Sequence, residues 1–217
     1  MAKPSAALVD LLAGWIDRGE TPLIGVAGSQ GSGKTTLCAE VARVRGVAHF
    51  SIDDVYLTRA ERVQLARERH PLLITRGPPG THDLDLARAT IAALRNAAPA
   101  DRTSIPAFDK LADDRLPPDR WPVFAGRPSA VLVEGWCVGA RPQAEAELTQ
   151  PINELERERD PDGAWRRWVN EQLAGPYAAF FAAFDAILFL AAPSWEIVLD
   201  WRCEQEAGLM GIAPAEL

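Results

Sequence analysis

A glycine-rich segment between an apolar run and a helical pattern constrains this chain more than any other feature. Residues 28–35 read GSQGSGKT and match the pattern GxxxxGK[ST] in full. The segment follows the apolar residues 23–27 and precedes residues 34–45, where apolar side chains recur at helical spacing. The glycines let backbone N–H groups turn towards an anion, and the first helical turn adds partial positive charge. We therefore expect this segment to bind phosphate groups.

This phosphate-binding loop (P-loop) predicts a nucleotide site in which individual residues have separate tasks. Lys34 is expected to contact the β- and γ-phosphates of ATP, and the Thr35 hydroxyl is expected to bind Mg²⁺. The other predicted nucleotide-binding residues are Gly28, Ser29, Gln30, Gly31, Ser32, Gly33 and Thr36. The motif predicts nucleotide binding but does not identify the reaction.

Apolar strands alternate with helical patterns along the chain, which indicates a parallel sheet covered on both faces. We predict one α/β domain over residues 1–217, a P-loop NTPase fold with helices on both faces, a small lid and a helical insertion at about 140–180. The predicted strands cover residues 23–27, 47–52, 130–133 and 186–191, and the predicted helices cover 6–16, 34–45, 58–70, 84–94, 153–177 and residues from 194 onward. Trp165 and Trp168 are interpreted as core residues of the insertion.

Composition excludes several partners. The net charge of −7 argues against binding to nucleic acid, and no apolar run reaches the ~20 residues that span a bilayer. Three cysteines, far apart and without metal-ligand spacing, indicate free thiols in a reducing cytoplasm. We expect a cytoplasmic protein that acts on a small molecule, and the sequence makes no prediction about its oligomeric state.

Carboxylates follow two of the predicted strands. Asp53 and Asp54 come after the second strand, where one acid is expected to accept a proton or hold Mg²⁺ through water and the other to cap the next turn. Glu134 ends the strand at 130–133, the arrangement in which a carboxylate holds Mg²⁺, usually through water. Both acids would lie at the carboxyl edge of the sheet, where ligands bind in such folds.

Two further segments carry polar residues without a helical or strand pattern. Residues 76–83 (RGPPGTHD) form a glycine-hinged loop in which Thr81 or Asp83 is expected to cap the next helix, a role that leaves Arg76 and His82 unexplained. Residues 97–128 contain six prolines and little periodicity, which predicts a long irregular loop. Lys110 in this loop is either a solvated charge or part of a pocket.

Several motifs resemble those of one kinase family. Residues 51–56 (SIDDVY) resemble the S-x-D-D-F-Y element of uridine kinases, phosphoribulokinases and glycerate kinases, with Val55 in place of Phe. Residues 76–83, 106–110 (PAFDK) and 134–137 (EGWC) resemble the motifs R-G-x-P-G-T-H-D, P-x-[FY]-D-K and E-G-W-C of the D-glycerate 3-kinase family. With the P-loop, these motifs occur in the family's order.

The resemblance runs from Leu23 to Gly211 and implies a reaction of D-glycerate with ATP that gives 3-phosphoglycerate and ADP. It implies that Asp53 is the general base and lies near the metal, that Glu134 is the metal-side acid, and that Arg202 is a lid arginine. It also implies further helical sequence after residue 217, in the region that would help to close the nucleotide site.

A hydroxy acid needs a cation for its carboxylate and polar groups for its hydroxyls. Arg76, Lys110 and Arg115 are the candidates for the carboxylate, and His82, Asp83 and Asp109 are those for the hydroxyls. The remaining predicted substrate-binding residues are Asp54, Tyr56, Thr81 and Phe108. Two alternatives stay open: a uridine or pantothenate kinase, and a regulatory nucleotide-binding NTPase without a phosphoryl acceptor.

Overall fold

The computed structural model describes residues 6–16, 21–194 and 196–210, apart from the side chains at 44, 202, 205, 206 and 208–210. The chain forms two compact units. The sheet unit comprises Met1–Ser51, Pro128–Val138 and Phe184–Leu217, and the mixed unit comprises Ile52–Arg127 and Gly139–Ala183.

A four-stranded parallel sheet forms the centre of the sheet unit. Its strands are β1 (Leu23–Gly28), β2 (Ala48–Ser51), β7 (Val131–Gly135) and β8 (Ala186–Leu190). They lie side by side in the order β2-β7-β1-β8. Every residue of β1 and β7 is buried, as expected of strands covered on both faces. All four lie within one or two residues of the predicted runs, which confirms the α/β P-loop fold.

Helices α1 (Ala6–Ile16), α2 (Lys34–Arg45) and α8 (Glu196–Met210) complete the sheet unit. Gly46 ends α2 in the left-handed conformation, with φ 62° and ψ 41°. Helices α1 and α2 bury apolar residues against the strands; the core cluster is Leu12, Ile16, Ile24, Val26, Leu37, Cys38, Val41, Val47, Ala130, Leu132 and Leu188. In the described ranges, no helix is long and apolar enough to cross a membrane.

The first helix of the mixed unit, α3 (Arg59–Glu68), begins with a capping box at the start of the predicted helix over 58–70. Thr58 accepts a hydrogen bond from the Glu61 backbone, and the Glu61 side chain accepts from the Thr58 backbone. The helix ends two residues before the predicted end at His70. His70 precedes a proline, which disfavours helical backbone, and instead caps a 3₁₀ turn at Pro71–Ile74. Helix α4 (Leu84–Asn96) follows the loop at 76–83.

The prediction of an irregular loop over residues 97–128 is wrong. The segment contains two antiparallel ribbons, formed by β3 (Arg102–Ser104) with β6 (Val123–Ala125) and by β4 (Phe108–Asp109) with β5 (Asp114–Arg115). Strands of two or three residues are too short to show a period-two pattern, so the sequence carries no strand signal here.

The predicted helix at 153–177 divides into α5 (Glu154–Arg159), α6 (Ala164–Gln172) and a π-helical turn at Leu173–Tyr177, which leads into α7 (Ala178–Phe181). Gly163, at φ 76°, lies between α5 and α6. Pro176 lies inside the π turn, where its lack of a backbone N–H interrupts the α-helical hydrogen bonds. Trp165 and Trp168 are half-buried rather than core, and the buried residue between them is Arg166, which pairs with Asp160.

Candidate active site

The P-loop of the sheet unit has the backbone conformation that its glycines predict. Gly31 and Gly33 have φ values of 77° and 86°, in the left-handed region that favours glycine. A Cβ atom at Gly31 would lie 2.5 Å from Cβ of Trp201 on α8, so the loop also needs glycine there for close packing. Gly33 is the residue before α2, whose N-terminus therefore begins at Lys34.

Polar side chains of the P-loop are arranged to receive an anion. Nζ of Lys34 donates to the backbone oxygen of Ser29 at 2.8 Å. The hydroxyls of Ser29 and Ser32 are buried and make no hydrogen bond to any other described residue. Buried hydroxyls without partners are uncommon and fit a loop whose donors serve a bound phosphate.

Thr35 and Glu134 meet across 99 positions of sequence. The Thr35 hydroxyl donates to Oε1 of Glu134 at 2.6 Å, and Glu134 is only 4% exposed. Parallel pairing places Glu134 level with Val26 on β1 and Ser51 on β2, which brings the acid beside the start of α2. A hydroxyl and a carboxylate are oxygen donors of the kind that Mg²⁺ prefers.

These two oxygens fit a magnesium ion that completes its coordination with phosphates and water. Among the described residues, no group of three or more His, Cys, Asp and Glu side chains could hold a metal by itself. Mg²⁺ in nucleotide sites is typically held by one or two protein oxygens together with phosphate oxygens, so this sparse donor set suits it.

In the mixed unit, Asp53 lies on a 3₁₀ turn at Ile52–Val55. The Tyr56 hydroxyl donates to Oδ1 at 2.8 Å, and Nζ of Lys110 donates to Oδ2 at 3.0 Å. Burial alone would raise the pKa of Asp53, but Lys110, Tyr56 and His82 together hold that pKa below its ordinary value. Asp53 is therefore an ionised carboxylate with an ammonium group beside it.

Neither acid of the Asp53-Asp54 pair caps the following α-helix, because Thr58 has that role. Asp54 is half-buried on the same 3₁₀ turn as Asp53. Both acids lie within the turn that follows β2, and the expectation that one of them caps this turn stays a prediction.

His82 lies against the Asp53 turn. Backbone hydrogen bonds from Asp83 N to Val55 O and from Leu57 N to Thr81 O pair the two segments. The His82 ring stacks on Tyr56 with centroids 4.5 Å apart, and its Nδ1 is 2.6 Å from the Tyr177 hydroxyl. Burial lowers the pKa of His82 to about 4, against the opposing effect of Asp53.

The three candidate cations have different partners. Arg76 pairs with Asp113 and also donates to the Lys110 carbonyl. Arg115 donates to the Tyr56 carbonyl at 2.7 Å and pairs with Asp83 at 3.2 Å. Lys110 pairs with Asp53 and has a side chain that is 62% exposed. Lys110 is therefore in contact with the Asp53 carboxylate and is also accessible from solvent.

Asp83 caps a helix, as the sequence allowed, and also pairs with one of the candidate cations. Its Oδ1 accepts from Leu86 N at 2.9 Å and caps α4, while its Oδ2 pairs with Arg115. The residue thus connects the helix to the ribbon that carries Arg115.

Three other predicted substrate residues have structural contacts. Thr81 is fully buried, and its hydroxyl donates to Pro78 O and accepts from Gly77 N within its own loop. Asp109 accepts from the backbone N–H groups after it in the β4–β5 turn. Phe108 packs edge-on against Tyr56, with ring centroids 5.3 Å apart. Arg202 lies on α8, but its side chain is outside the described part of the chain.

Sequence reasoning missed three residues that support this arrangement. Tyr177 contacts both His82 and the Gly80 backbone. Asp113 pairs with Arg76 and with the buried Arg62, whose guanidinium also donates to backbone carbonyls. None of the three positions belongs to a motif; the scarcity of tyrosine, which occurs only at Tyr56 and Tyr177, was the one available signal for Tyr177.

A parallel sheet whose first strand leads into a complete P-loop, with an acid beside its Thr35, defines a P-loop nucleotide-binding protein. The chain is 32% identical over 219 residues to the uncharacterized kinase mug58 of Schizosaccharomyces pombe, covering 93% of this chain and 78% of that protein. It is 30% identical over 200 residues to the chloroplastic D-glycerate 3-kinase of Arabidopsis thaliana, covering 86% of this chain but 41% of that enzyme. No protein-family model matches the chain.

The fold is also similar to a solved structure, that of D-glycerate 3-kinase from Cryptococcus neoformans. The TM-score is 0.75 at 25% sequence identity, and the match covers 96% of this chain and 82% of that one. The chain belongs to the family of P-loop kinases that includes the D-glycerate 3-kinases. It is therefore a phosphotransferase with an alcohol group as acceptor and a small molecule as substrate.

Proposed function

We propose that this kinase transfers the γ-phosphoryl group of Mg·ATP to the 3-hydroxyl of D-glycerate, giving 3-phosphoglycerate and ADP. The observation that carries the proposal is the contact between Lys110 and Asp53, at 3.0 Å. A small hydroxy acid presents a carboxylate and a hydroxyl a few ångströms apart, and this pair offers an ammonium for the first and a carboxylate for the second. Two of the relatives above are D-glycerate 3-kinases.

Residues of the sheet unit bind the phosphoryl donor in this proposal. The P-loop backbone, Lys34 and the hydroxyls of Ser29 and Ser32 bind the phosphates, and Thr35 and Glu134 hold the magnesium ion. When bound, the ion neutralises charge that develops on the phosphate oxygens. Gln30 and Thr36 belong to the same segment and are proposed as nucleotide-binding residues.

Residues of the mixed unit bind and activate the acceptor. Asp53 takes the proton of the 3-hydroxyl while the new O–P bond forms and the bond from the γ-phosphorus to the β-phosphate oxygen breaks, so that ADP leaves. The depressed pKa of Asp53 keeps it ionised at neutral pH and therefore able to accept that proton. Lys110 holds the glycerate carboxylate, with Arg76 beside it.

Acceptor-dependent release of ADP tests the proposal. We expect release from Mg·ATP to require D-glycerate, to yield 3-phosphoglycerate by ³¹P NMR, and to fall by about 10²–10⁴-fold in Asp53→Asn. Asp85→Asn is the matched control, because that side chain is 95% exposed and belongs to neither proposed set.

Two other outcomes would replace the proposal, and a third would change only the assignment of the base. ADP release that ignores every acceptor would identify a nucleotide hydrolase. Release stimulated by uridine or pantothenate, but not by D-glycerate, would identify another acceptor class. Full activity of Asp53→Asn with D-glycerate would keep the reaction and remove the assigned base.

A further inference from the structure

The ring of His82 has a hydrogen-bond partner on one nitrogen only. Nδ1 lies 2.6 Å from the Tyr177 hydroxyl, whereas Nε2 is buried and makes no hydrogen bond to the part of the chain that the structure describes. The residue is 5% exposed, so bulk water does not satisfy Nε2. A buried polar atom in this situation indicates a group that a ligand or a bound water supplies.

The contact of Tyr177 with Nδ1 bears on which nitrogen of His82 carries the proton. The Tyr177 oxygen accepts from the backbone N–H of Gly80 at 2.8 Å, a group that can only donate. With one lone pair of the oxygen used in this way, the hydroxyl can donate its proton to Nδ1 of His82, which lies 2.6 Å away. The imidazole is neutral at pH 7, since burial lowers its pKa to about 4. A neutral ring that accepts at Nδ1 carries its proton on Nε2.

The ring belongs to the acceptor side of the molecule. It stacks on Tyr56 with an interplanar angle of 23°, and the Tyr56 hydroxyl donates to Asp53. Asp53 and His82 are close enough that each charge affects the pKa of the other. Because Tyr177 occupies Nδ1, the free edge of the ring with Nε2 points away from Tyr177.

We propose that Tyr177 is a positioning residue for the acceptor, which holds His82 as the Nε2–H tautomer so that this N–H donates to the non-reacting hydroxyl of the bound acid. The inference rests on the proposed function, in which Lys110 takes the carboxylate and Asp53 the reacting hydroxyl. An N–H at this position donates to a hydroxyl oxygen but not to an ammonium group, because two donors would then face each other unpaired. The site therefore selects hydroxy acids over the corresponding amino acids.

The first test measures the tautomer in the free protein by ¹⁵N NMR of the imidazole nitrogens. Protonated and unprotonated ring nitrogens have different shifts, and a spectrum of His82→Gln assigns the signals among the three histidines. We expect Nε2–H in the wild type and a mixture of tautomers in Tyr177→Phe. A wild-type ring protonated on Nδ1 would overturn the inference, whatever the activity of the enzyme.

The second test separates binding of the acceptor from chemistry. We expect Tyr177→Phe and His82→Phe to raise KM for D-glycerate roughly tenfold, with KM for ATP unchanged and kcat changed by less than about threefold. His82→Gln places an amide N–H near the position of Nε2–H and should recover most of the affinity. For the wild type, the inhibition constant of D-serine should be far larger than KM for D-glycerate. In His82→Phe the two constants should lie closer together.

If Tyr177 and His82 had only a structural role, all three variants would be less stable, but their relative affinities for D-glycerate and D-serine would match those of the wild type. Unchanged KM values for D-glycerate in an active enzyme would overturn this inference alone. Absence of any D-glycerate-dependent ADP release from the wild type would overturn the proposed function, and this inference with it.

Discussion

Nζ of Lys110 lies 3.0 Å from Oδ2 of Asp53, although 57 positions of sequence separate the two residues. Lys110 follows β4 in the tight turn to β5, and Asp53 lies on a 3₁₀ turn that the same unit contains. The chain has three lysines, and this one makes its ion pair at the carboxylate proposed as the base. In the proposed function, Lys110 of this pair provides the ammonium group that binds the carboxylate of the acceptor.

Removal of the Lys110 charge should weaken acceptor binding selectively. Lys110→Met should raise KM for D-glycerate about 10–100-fold, since a charge-assisted hydrogen bond contributes about 1.5–3 kcal/mol. Lys110→Arg keeps the positive charge and should retain part of the affinity for D-glycerate. Steady-state kinetics with D-glycerate and ATP varied separately measure the effect. Arg120→Met, which removes an exposed cation of the same segment, serves as control, and equal KM values in the two variants would contradict the assignment.

His82 should make stability depend on pH between about 6.5 and 4. Its pKa in the folded protein is about 4, below the ordinary value of 6.5, so in this window the unfolded state binds a proton that the folded state does not. The free energy of unfolding should therefore fall as pH drops through the window, by about 3 kcal/mol at most, and this loss should stop below pH 4. Urea unfolding at several pH values measures the slope, which His82→Gln should reduce; an unchanged slope would show that His82 is not the group responsible.

Arg62 should contribute far more to stability than its neighbour Arg59, although both pair with Asp113. Arg62 is 1% exposed and donates to the carbonyls of Leu57, Ile74 and Asp113, whereas the Arg59 side chain is 60% exposed. Arg62→Ala should cost about 3–5 kcal/mol, and Arg59→Ala less than about 1 kcal/mol. Denaturant unfolding measures the free energy of unfolding of the two variants. Similar losses in the two would show that the burial of Arg62 does not determine its contribution to stability.

Gly80 and Gly77 offer a matched pair for testing close packing in the 76–83 loop. Both have positive φ, at 99° and 128°, so alanine is strained at either. A Cβ atom at Gly80 would lie 2.3 Å from the Trp168 ring, but one at Gly77 meets nothing within 4 Å. Gly77→Ala should cost about 1–3 kcal/mol from strain alone, and Gly80→Ala about 1–3 kcal/mol more from overpacking. Thermal unfolding of both variants measures the difference, which should vanish if Trp168 moves aside freely.

Glu134 should govern the requirement for magnesium rather than nucleotide binding itself. Glu134→Gln keeps the shape of a side chain that contacts Thr35 but removes its charge. The Mg²⁺ concentration for half-maximal activity should rise about 10–100-fold, while ATP binding without Mg²⁺, measured by calorimetry, should be unchanged or slightly stronger. A variant with the normal Mg²⁺ requirement would remove Glu134 from the metal side.

Much of the sheet unit could be predicted because its determinants are local. The strands that form the sheet are continuous apolar runs, Gly46 ends α2 in a conformation that favours glycine, and the P-loop reads directly from eight residues. The capping box at Thr58 is likewise a signal confined to four residues. Where a segment's structure depends on its own residues, sequence reasoning located it to within one or two positions.

The ribbons of the 97–128 segment and the partners of its charges could not be predicted in this way. Strands β3 to β6 are two or three residues long, which is too short to show a period-two pattern, so nothing local indicates that they pair with one another. The pairing of Arg76 with Asp113, and of Arg115 with Asp83, depends on where those segments meet. Nothing in the sequence distinguishes these pairs from other combinations of the same residue types.

The sequence by itself determined that this protein has a P-loop in an α/β fold and which acids follow the strands, because both depend on short apolar runs and glycine conformations. Only the tertiary structure decided that Asp53 is paired with Lys110, that Asp83 both caps a helix and pairs with Arg115, and that Tyr177 meets His82. These contacts join residues up to 95 positions apart. Which hydrogen bonds and ion pairs the buried groups form depends on which segments are neighbours in the folded protein. That arrangement is a property of the whole chain and cannot be read from one segment.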